Sequence, residues 1–266
     1  YTSGKQWYLG TYGNNIAFAL QNMGKSSVDI SALIPVGTWH HYAMVATGGT
    51  ATIYLDGIEI DSASYTPDVA ANPDANFVMG AISVGPGSTV ANYVEGQVDE
   101  VAVWDSALTS AQINDIYNGG VPAALTSLSP LGWWRMGENN AGTGVTITDQ
   151  GSGTNNGTLT NGPTFSRSVP AEDATWNNRS LSFNGTNEYI STTADDTLAS
   201  KSYSFWSKSN DTGGNVVFSH GNDSGWGIGG TFIFNQSAGE PLLYMEAGTH
   251  RYWADNSAQD DDAWHH

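Results

Sequence analysis

The longest regular alternation of apolar and polar positions is "TATIYLDGIEID" at 50–61. Ala51, Ile53 and Leu55 fall on one face, Thr50, Thr52 and Tyr54 on the other, and beyond Asp56-Gly57 the residues Ile58 and Ile60 alternate with Glu59 and Asp61. A period of two predicts half-buried strands. An Asp-Gly pair accepts the positive φ angles of a two-residue hairpin turn, so the stretch reads as a β-hairpin. Residues 40–46 read as the strand before it, and "FVMGAISVG" at 77–85 and Val98 to Trp104 as strands after it. The period then changes. Thr109 with Gln112 forms a capping box, Ile113, Ile116 and Tyr117 follow at helical spacing, and Gly119-Gly120 ends the run. One short helix is therefore predicted near 109–118. Residues 123–130 read as a linker. Strand-like runs resume at 131–138, 180–192, 202–209 and 215–221.

The pattern then repeats itself. "WGIG" at 226–229 resembles "WYLG" at 7–10, Phe232 to Gln236 resembles Ile16 to Gln21, and the Trp-His-His of 264–266 repeats that of 39–41. Residues 226–266 thus look like a second copy of 7–41, at an offset of about 220 residues, a spacing that suits tandem domains rather than a solenoid. The chain is accordingly expected to hold the C-terminal part of one sandwich in 1–122 and the N-terminal part of a second in 131–266, as a window on an array. The alternative is one circularly permuted sandwich in which 131–214 packs against 1–122 and 215–266 is a spare or exchanged segment. Sandwich termini lie close enough for that.

Composition narrows the function. Of 266 residues, 26 are Asp or Glu and 8 are Lys or Arg, a net charge of -18. Binding a polyanion needs rows of cations on phosphates, so nucleic acid and anionic membrane are poor partners. No apolar run reaches the ~18 residues of a membrane span. The absence of cysteine removes disulfides, thiolate metal sites and thiol nucleophiles. Thirty-two glycines favour strands joined by tight turns.

Several stretches carry candidate chemistry. The loop "DQGSGTNNG" at 149–157 offers Asp149, Asn155 and backbone carbonyls to a hard cation such as calcium. The same residues also make an ordinary polar loop. His40-His41 and His265-His266 are adjacent on strands, so each pair points to opposite faces and cannot chelate together. Core packing of Trp39 and one histidine is expected instead. Paired catalytic carboxylates need alternate strand positions and a separation of ~5 Å. Glu59 and Asp61 begin such a pattern, but Ala63 ends it, and no nucleophile-elbow motif is present. The acidic run Asp260-Asp261-Asp262 reads as a solvated loop. Trp7, Trp226, Tyr252 and Trp253 lie beside loops and are candidates for stacking on sugar rings. Trp39, Trp104 and Trp134 fall in strand patterns and read as core.

Five stretches, taken together, resemble the laminin-G-like, concanavalin A-like lectin/glucanase jelly-roll family. They are "GTWHHYAMV", "ATIYLDGIEI", "VDEVAVWDSALTSAQI", "DQGSGTNNGTLTNGP" and "LSFNGTNEYI". The closing half of the family pattern here precedes the opening half. The resemblance implies an all-β fold of two stacked antiparallel sheets and a non-catalytic module that binds a glycan or a surface protein through rim loops. Some members bind calcium, and the resemblance adds Asp99 to Asp149 and Asn155 as a candidate ligand. It further implies a part in a larger extracellular or bacteriophage virion protein, with neighbouring copies of the module as partners. A purely structural subunit and an accessory domain of a glycoside hydrolase are the alternatives.

Overall fold

The computed structural model describes residues 7–12, 15–20, 26–29, 37–64, 76–85, 89–91, 93–171, 176–193, 200–209 and 217–221. The first segment contains β1 (Trp7–Tyr12), β2 (Asn15–Leu20), β3 (Ser26–Asp29), β4 (His40–Thr47), β5 (Thr50–Leu55) and β6 (Ile58–Ser64). It continues with β7 (Asn76–Met79), β8 (Ile82–Gly85), β9 (Thr89–Ala91), β10 (Glu95–Trp104) and helix α1 (Ser110–Tyr117). The second holds β11 (Gly132–Trp134), β12 (Thr146–Ile147), β13 (Gly157–Thr160) and β14 (Thr164–Ser166). It ends with β15 (Ser180–Asn184), β16 (Tyr189–Ser191), β17 (Lys201–Ser209) and β18 (Phe218–Gly221).

Two antiparallel sheets make the body. One runs β14-β15-β10-β17-β4-β5-β6, with β11 also on β10, and the other runs β12-β13-β16-β7-β18. Their facing sides bury one core, to which β4 gives Tyr42 and Met44, β7 gives Phe77 and Met79, β16 gives Ile190 and β17 gives Tyr203 and Phe205. Strand alternation sends the intervening residues to the far side of the larger sheet. There Ala43, Val45, Ala102 and Trp104 pack with Ile113 and Ile116 of α1, and with Leu125 and Trp133. The architecture is the two-sheet all-β sandwich that the resemblance implies, and among the described residues the one α-helix falls where the periodicity predicts it.

The division expected at 123–130 meets a different arrangement. β10, from the first segment, pairs with β17 on one edge and with β15 and β11 on the other, all three from the second segment. β17 in turn pairs with β4. Each segment alone would leave these edges with unpaired backbone groups. Interleaving satisfies them, and the two segments share both sheets. The expected linker packs as well: Leu125 is buried, and the Leu131 N–H donates to the Val103 carbonyl at 2.8 Å. The second copy, 226–266, lies outside the described residues.

Local predictions hold in detail. The hairpin turn has φ of 50° at Asp56 and 78° at Gly57. The Thr109 hydroxyl accepts from the Gln112 N–H, and the Gln112 side chain accepts from the Thr109 N–H.

Candidate functional site

The site begins with a break in β10. Residues 95–98 pair with β15, residues 101–103 pair with β11, and between Asp99 and Ala102 the register against β17 slips by one residue. This is a β-bulge, which inserts a residue and re-aims side chains. Glu100 takes φ of 47° and Met136, just beyond β11, the same value. Both are non-glycine residues in the left-handed region, where strain has to be held by the surroundings. Successive strand residues should point apart, yet the bulge brings Asp99 and Glu100 together with Glu138. One carboxylate oxygen from each lies within 4.8 Å of the others. Asp99 is 0% exposed and Glu100 3%.

Glu100 is fully engaged. It accepts from Trp133 Nε1 at 2.6 Å and from Arg135 Nε at 3.0 Å. Arg135 also donates to the Trp176 carbonyl, and its guanidinium carbon lies 3.8 Å from the Trp176 ring centroid and 5.4 Å from that of Trp133. Glu138 uses Oε1 to accept from the Asn178 and Arg179 N–H groups at 3.1 and 2.8 Å. Asp99 Oδ1 accepts from the Glu100 N–H. Asp99 Oδ2 and Glu138 Oε2 are buried, and no described residue bonds them.

Three carboxylates thus face one guanidinium. Burial, then the neighbouring Glu100 and Glu138, push the Asp99 carboxyl well above the usual carboxylate range. Burial also raises Glu100, against the opposing pull of Arg135 and the Trp133 hydrogen bond. Burial, then the charge of Glu100, moves Glu138 up to about 7. Retaining glycosidases also rely on two carboxyl groups brought close together, ~5 Å apart. However, such a pair must straddle a glycosidic bond, and Asp99 and Glu100 present no surface on which a sugar chain could lie.

On the outer side of Trp176 is a groove lined by Asn114, Asp115, Asn118, Val121, Pro122 and the half-buried Trp176 ring. Asn114, Asp115 and Asn118 are exposed, and Val121 is 41% exposed. α1 and its αL cap at Asn118 present the polar groups. The Trp176 Nε1 donates to the Pro122 carbonyl at 3.3 Å, tying the ring to the opposite wall.

The sequence-derived candidates fall differently. Asp149 acts as a loop staple: Oδ1 accepts from the Trp133 and Gly151 N–H groups and Oδ2 from the Asn155 N–H, all within 2.8 Å. Asn155 lends its carbonyl to Trp134 Nε1 and its side-chain oxygen to Thr193. The structure groups Asp99 with Glu100 and Glu138, and that group does not include Asp149. Trp7 lies on β1, and Trp226, Tyr252, Trp253, Asp260, Asp261 and Asp262 lie outside the described residues. His40 is held by Thr38 and Asp56. His41, on the other face, bonds Ser204 and packs against Trp206, so the two rings do not converge. Trp104 and Trp134 are fully buried, as their strand pattern predicts, whereas Trp39, expected in the core, is half-buried. The sequence reading places none of Glu100, Glu138 and Trp176 in a site. The pair of acids inside the apolar run "VDEVAVW" is a signal for Glu100 beside Asp99, and Glu138 and Trp176 carry no such signal.

Comparison with known proteins gives one match. Residues 1–114 match the laminin G family model described as the concanavalin A-like lectin/glucanases superfamily, so this part of the chain is similar to that superfamily. No curated protein and no solved structure matches the chain.

Proposed function

We propose that this lectin-like module is non-catalytic and binds a glycan in the groove between α1 and Trp176. The observation that carries the reading is the chemistry of that groove. An aromatic ring and the exposed Val121 offer an apolar floor for a pyranose face, and Asn114, Asp115 and Asn118 offer amide and carboxylate groups for its hydroxyls. Binding sites of this kind pair apolar surface with a few placed polar groups. Laminin G-like domains are commonly extracellular, and no helix among the described residues is long and apolar enough to cross a membrane. The module belongs, on this reading, to a larger extracellular or bacteriophage virion protein. Weak contacts repeated over neighbouring copies would there add up to avidity.

A glycan array probed with the purified chain, with calcium and with a chelator, tests this. A defined set of glycans is expected to bind, and Asn114→Ala/Asp115→Ala, two exposed positions, to weaken that binding at least about tenfold, the loss of one or two hydrogen bonds. Silence across the array in both conditions rejects the lectin reading. A structural role in assembly would then take its place, favoured by the repeat of 7–41 in 226–266. Binding to one polysaccharide alone would mark an accessory domain of a glycoside hydrolase.

A further inference from the structure

We propose that Asp99, Glu100 and Glu138 form a binding site for a hard divalent cation, calcium in the first place. Three observations converge. Oxygens of the three carboxylates lie within 4.8 Å of one another, a spacing at which one ion can touch them all. Among the described residues only Glu100 of the three is in contact with a cation, Arg135, and Asp99 and Glu138 share that one charge at a distance. Independently, Asp99 is 0% exposed and its Oδ2 has no bond from any described residue, and the same holds for the buried Glu138 Oε2. An unpartnered buried carboxylate oxygen is costly, and here two of them belong to the one cluster.

The donor set selects the ion. All three groups are carboxylates, and the group contains no histidine. Oxygen-only sites suit calcium, magnesium or manganese rather than zinc or copper. Calcium tolerates irregular geometry and takes six to eight oxygens, so waters or carbonyls would complete its shell. The strained backbone at Glu100 and Met136 is the kind of distortion that persists where side chains must be aimed. The expected calcium loop is a poorer host, because both Asp149 oxygens already accept backbone N–H groups, whereas Asp99 Oδ2 and Glu138 Oε2 accept none from a described residue. The inference does not depend on what the groove binds.

The test uses the chelator-stripped chain at pH 7.5. Thermal unfolding is followed with calcium, magnesium and manganese, and terbium, a luminescent stand-in for calcium, is titrated with tryptophan excitation. With calcium about 100-fold above its Kd, the Tm is expected to rise by ~5 °C or more. Terbium emission is expected to appear and to be displaced by calcium. Glu138→Gln, which keeps an acceptor for Asn178 and Arg179, should lose both effects. Asp105→Asn, an exposed acid elsewhere, should keep them. Should Glu138→Gln not fold, Glu138→Asp retains the charge on a shorter arm and is expected to weaken calcium at least about tenfold. Three results overturn the site. One is a Tm indifferent to every metal but rising as pH is lowered, which would mean that protons hold the cluster. Another is a calcium response unchanged in Glu138→Gln, which would place the ion elsewhere on the acidic surface. The last is unchanged affinity in Glu138→Asp.

Discussion

His41 and Asp99 occupy one rung of the larger sheet. His41 is paired with Trp206 of β17, and Trp206 is paired with Asp99 of β10. Both are 0% exposed, but the two ends of the rung treat a buried ionisable group in opposite ways. At the β4 end the strand is regular. Nε2 of His41 bonds Ser204 Oγ at 2.7 Å, and Tyr117 and Trp206 enclose the ring at centroid distances of 6.2 and 5.2 Å. Burial lowers its pKa to about 4, so the group enters the fold neutral and needs no counter-charge. At the β10 end the strand bulges, the backbone is strained, and two further carboxylates are gathered where one would already be unfavourable. A histidine can give up its charge cheaply at neutral pH. A carboxylate can do so only far from its ordinary pKa. The regular end is therefore packing, and the irregular end is organised around a charge that has to be met by something.

Removing Arg135, the cation that the described residues place at the irregular end, should have the largest effect. Arg135→Met keeps much of the stacking volume on Trp176 but leaves Glu100 without its partner. The expected cost is about 3–5 kcal/mol, as for breaking a buried ion pair from one side, measured by urea unfolding. The double change Arg135→Met/Glu100→Gln should recover part of that loss. If the single variant is as stable as wild type, Arg135 is not the counter-charge.

The two ends should also respond to pH with opposite sign. For His41 the neutral form is favoured in the fold, so its contribution is complete above about pH 6.5 and is lost as pH falls from 6.5 to about 4. That span amounts to about 3 kcal/mol. For Glu138 in metal-free protein the protonated form is favoured. Its contribution is complete below pH 4.5 and is lost as pH rises through about 7. Unfolding free energies across pH 4–8 check both. His41→Gln should remove the acid-side loss alone, and Glu138→Gln the neutral-side loss alone. A common pH profile for wild type and both variants would show that neither group carries the linkage.

What the sequence revealed follows the same division. Asp56-Gly57 and the Thr109–Gln112 box could be read because each signal is local, two to four residues whose own backbone demands decide the outcome. The alternation in β4 correctly sent His40 and His41 to opposite sides. The same rule would send Asp99 and Glu100 to opposite sides, and it fails there because the strand bulges. The bulge arises where β10 changes partner from β15 to β11, a tertiary event with no local mark. Glu138 reaches the cluster only after the chain has crossed back over the sheet. Asp149 misled for the converse reason. An acid in a glycine-rich loop looks like a ligand, but its oxygens are used up on the backbone of its own turn and of Trp133.

The loop held by Asp149 offers a smaller test of which end of the molecule is merely structural. A Cβ on Gly151 would stand 2.6 Å from the Leu131 carbonyl oxygen and 2.7 Å from Gly132 Cα, backbone atoms that a rotamer change cannot move. Gly151→Ala should therefore cost about 1–3 kcal/mol by overpacking, read as a lower urea midpoint at unchanged slope. Because Asp149 is assigned no ion, the variant should keep the calcium response of the wild type. A calcium affinity that fell with Gly151→Ala but not with Glu138→Gln would move the cation from the bulge to the loop.

The smallest expected effect is at the helix over the regular end. Thr109→Ala removes the hydroxyl that accepts from the Gln112 N–H and leaves that donor to water, since the cap is exposed. A cap of this kind is worth about 1 kcal/mol. α1 carries Tyr117 onto His41 and Trp206 and Asn114 and Asp115 into the groove. Loosening it should thus speed amide exchange in 110–118 and slightly weaken any groove ligand, while the cation response at the bulge stays as it was. Equal losses at groove and bulge would mean that the two are one cooperative unit, and the contrast along the rung would then describe chemistry only, with no separation of stability between its ends.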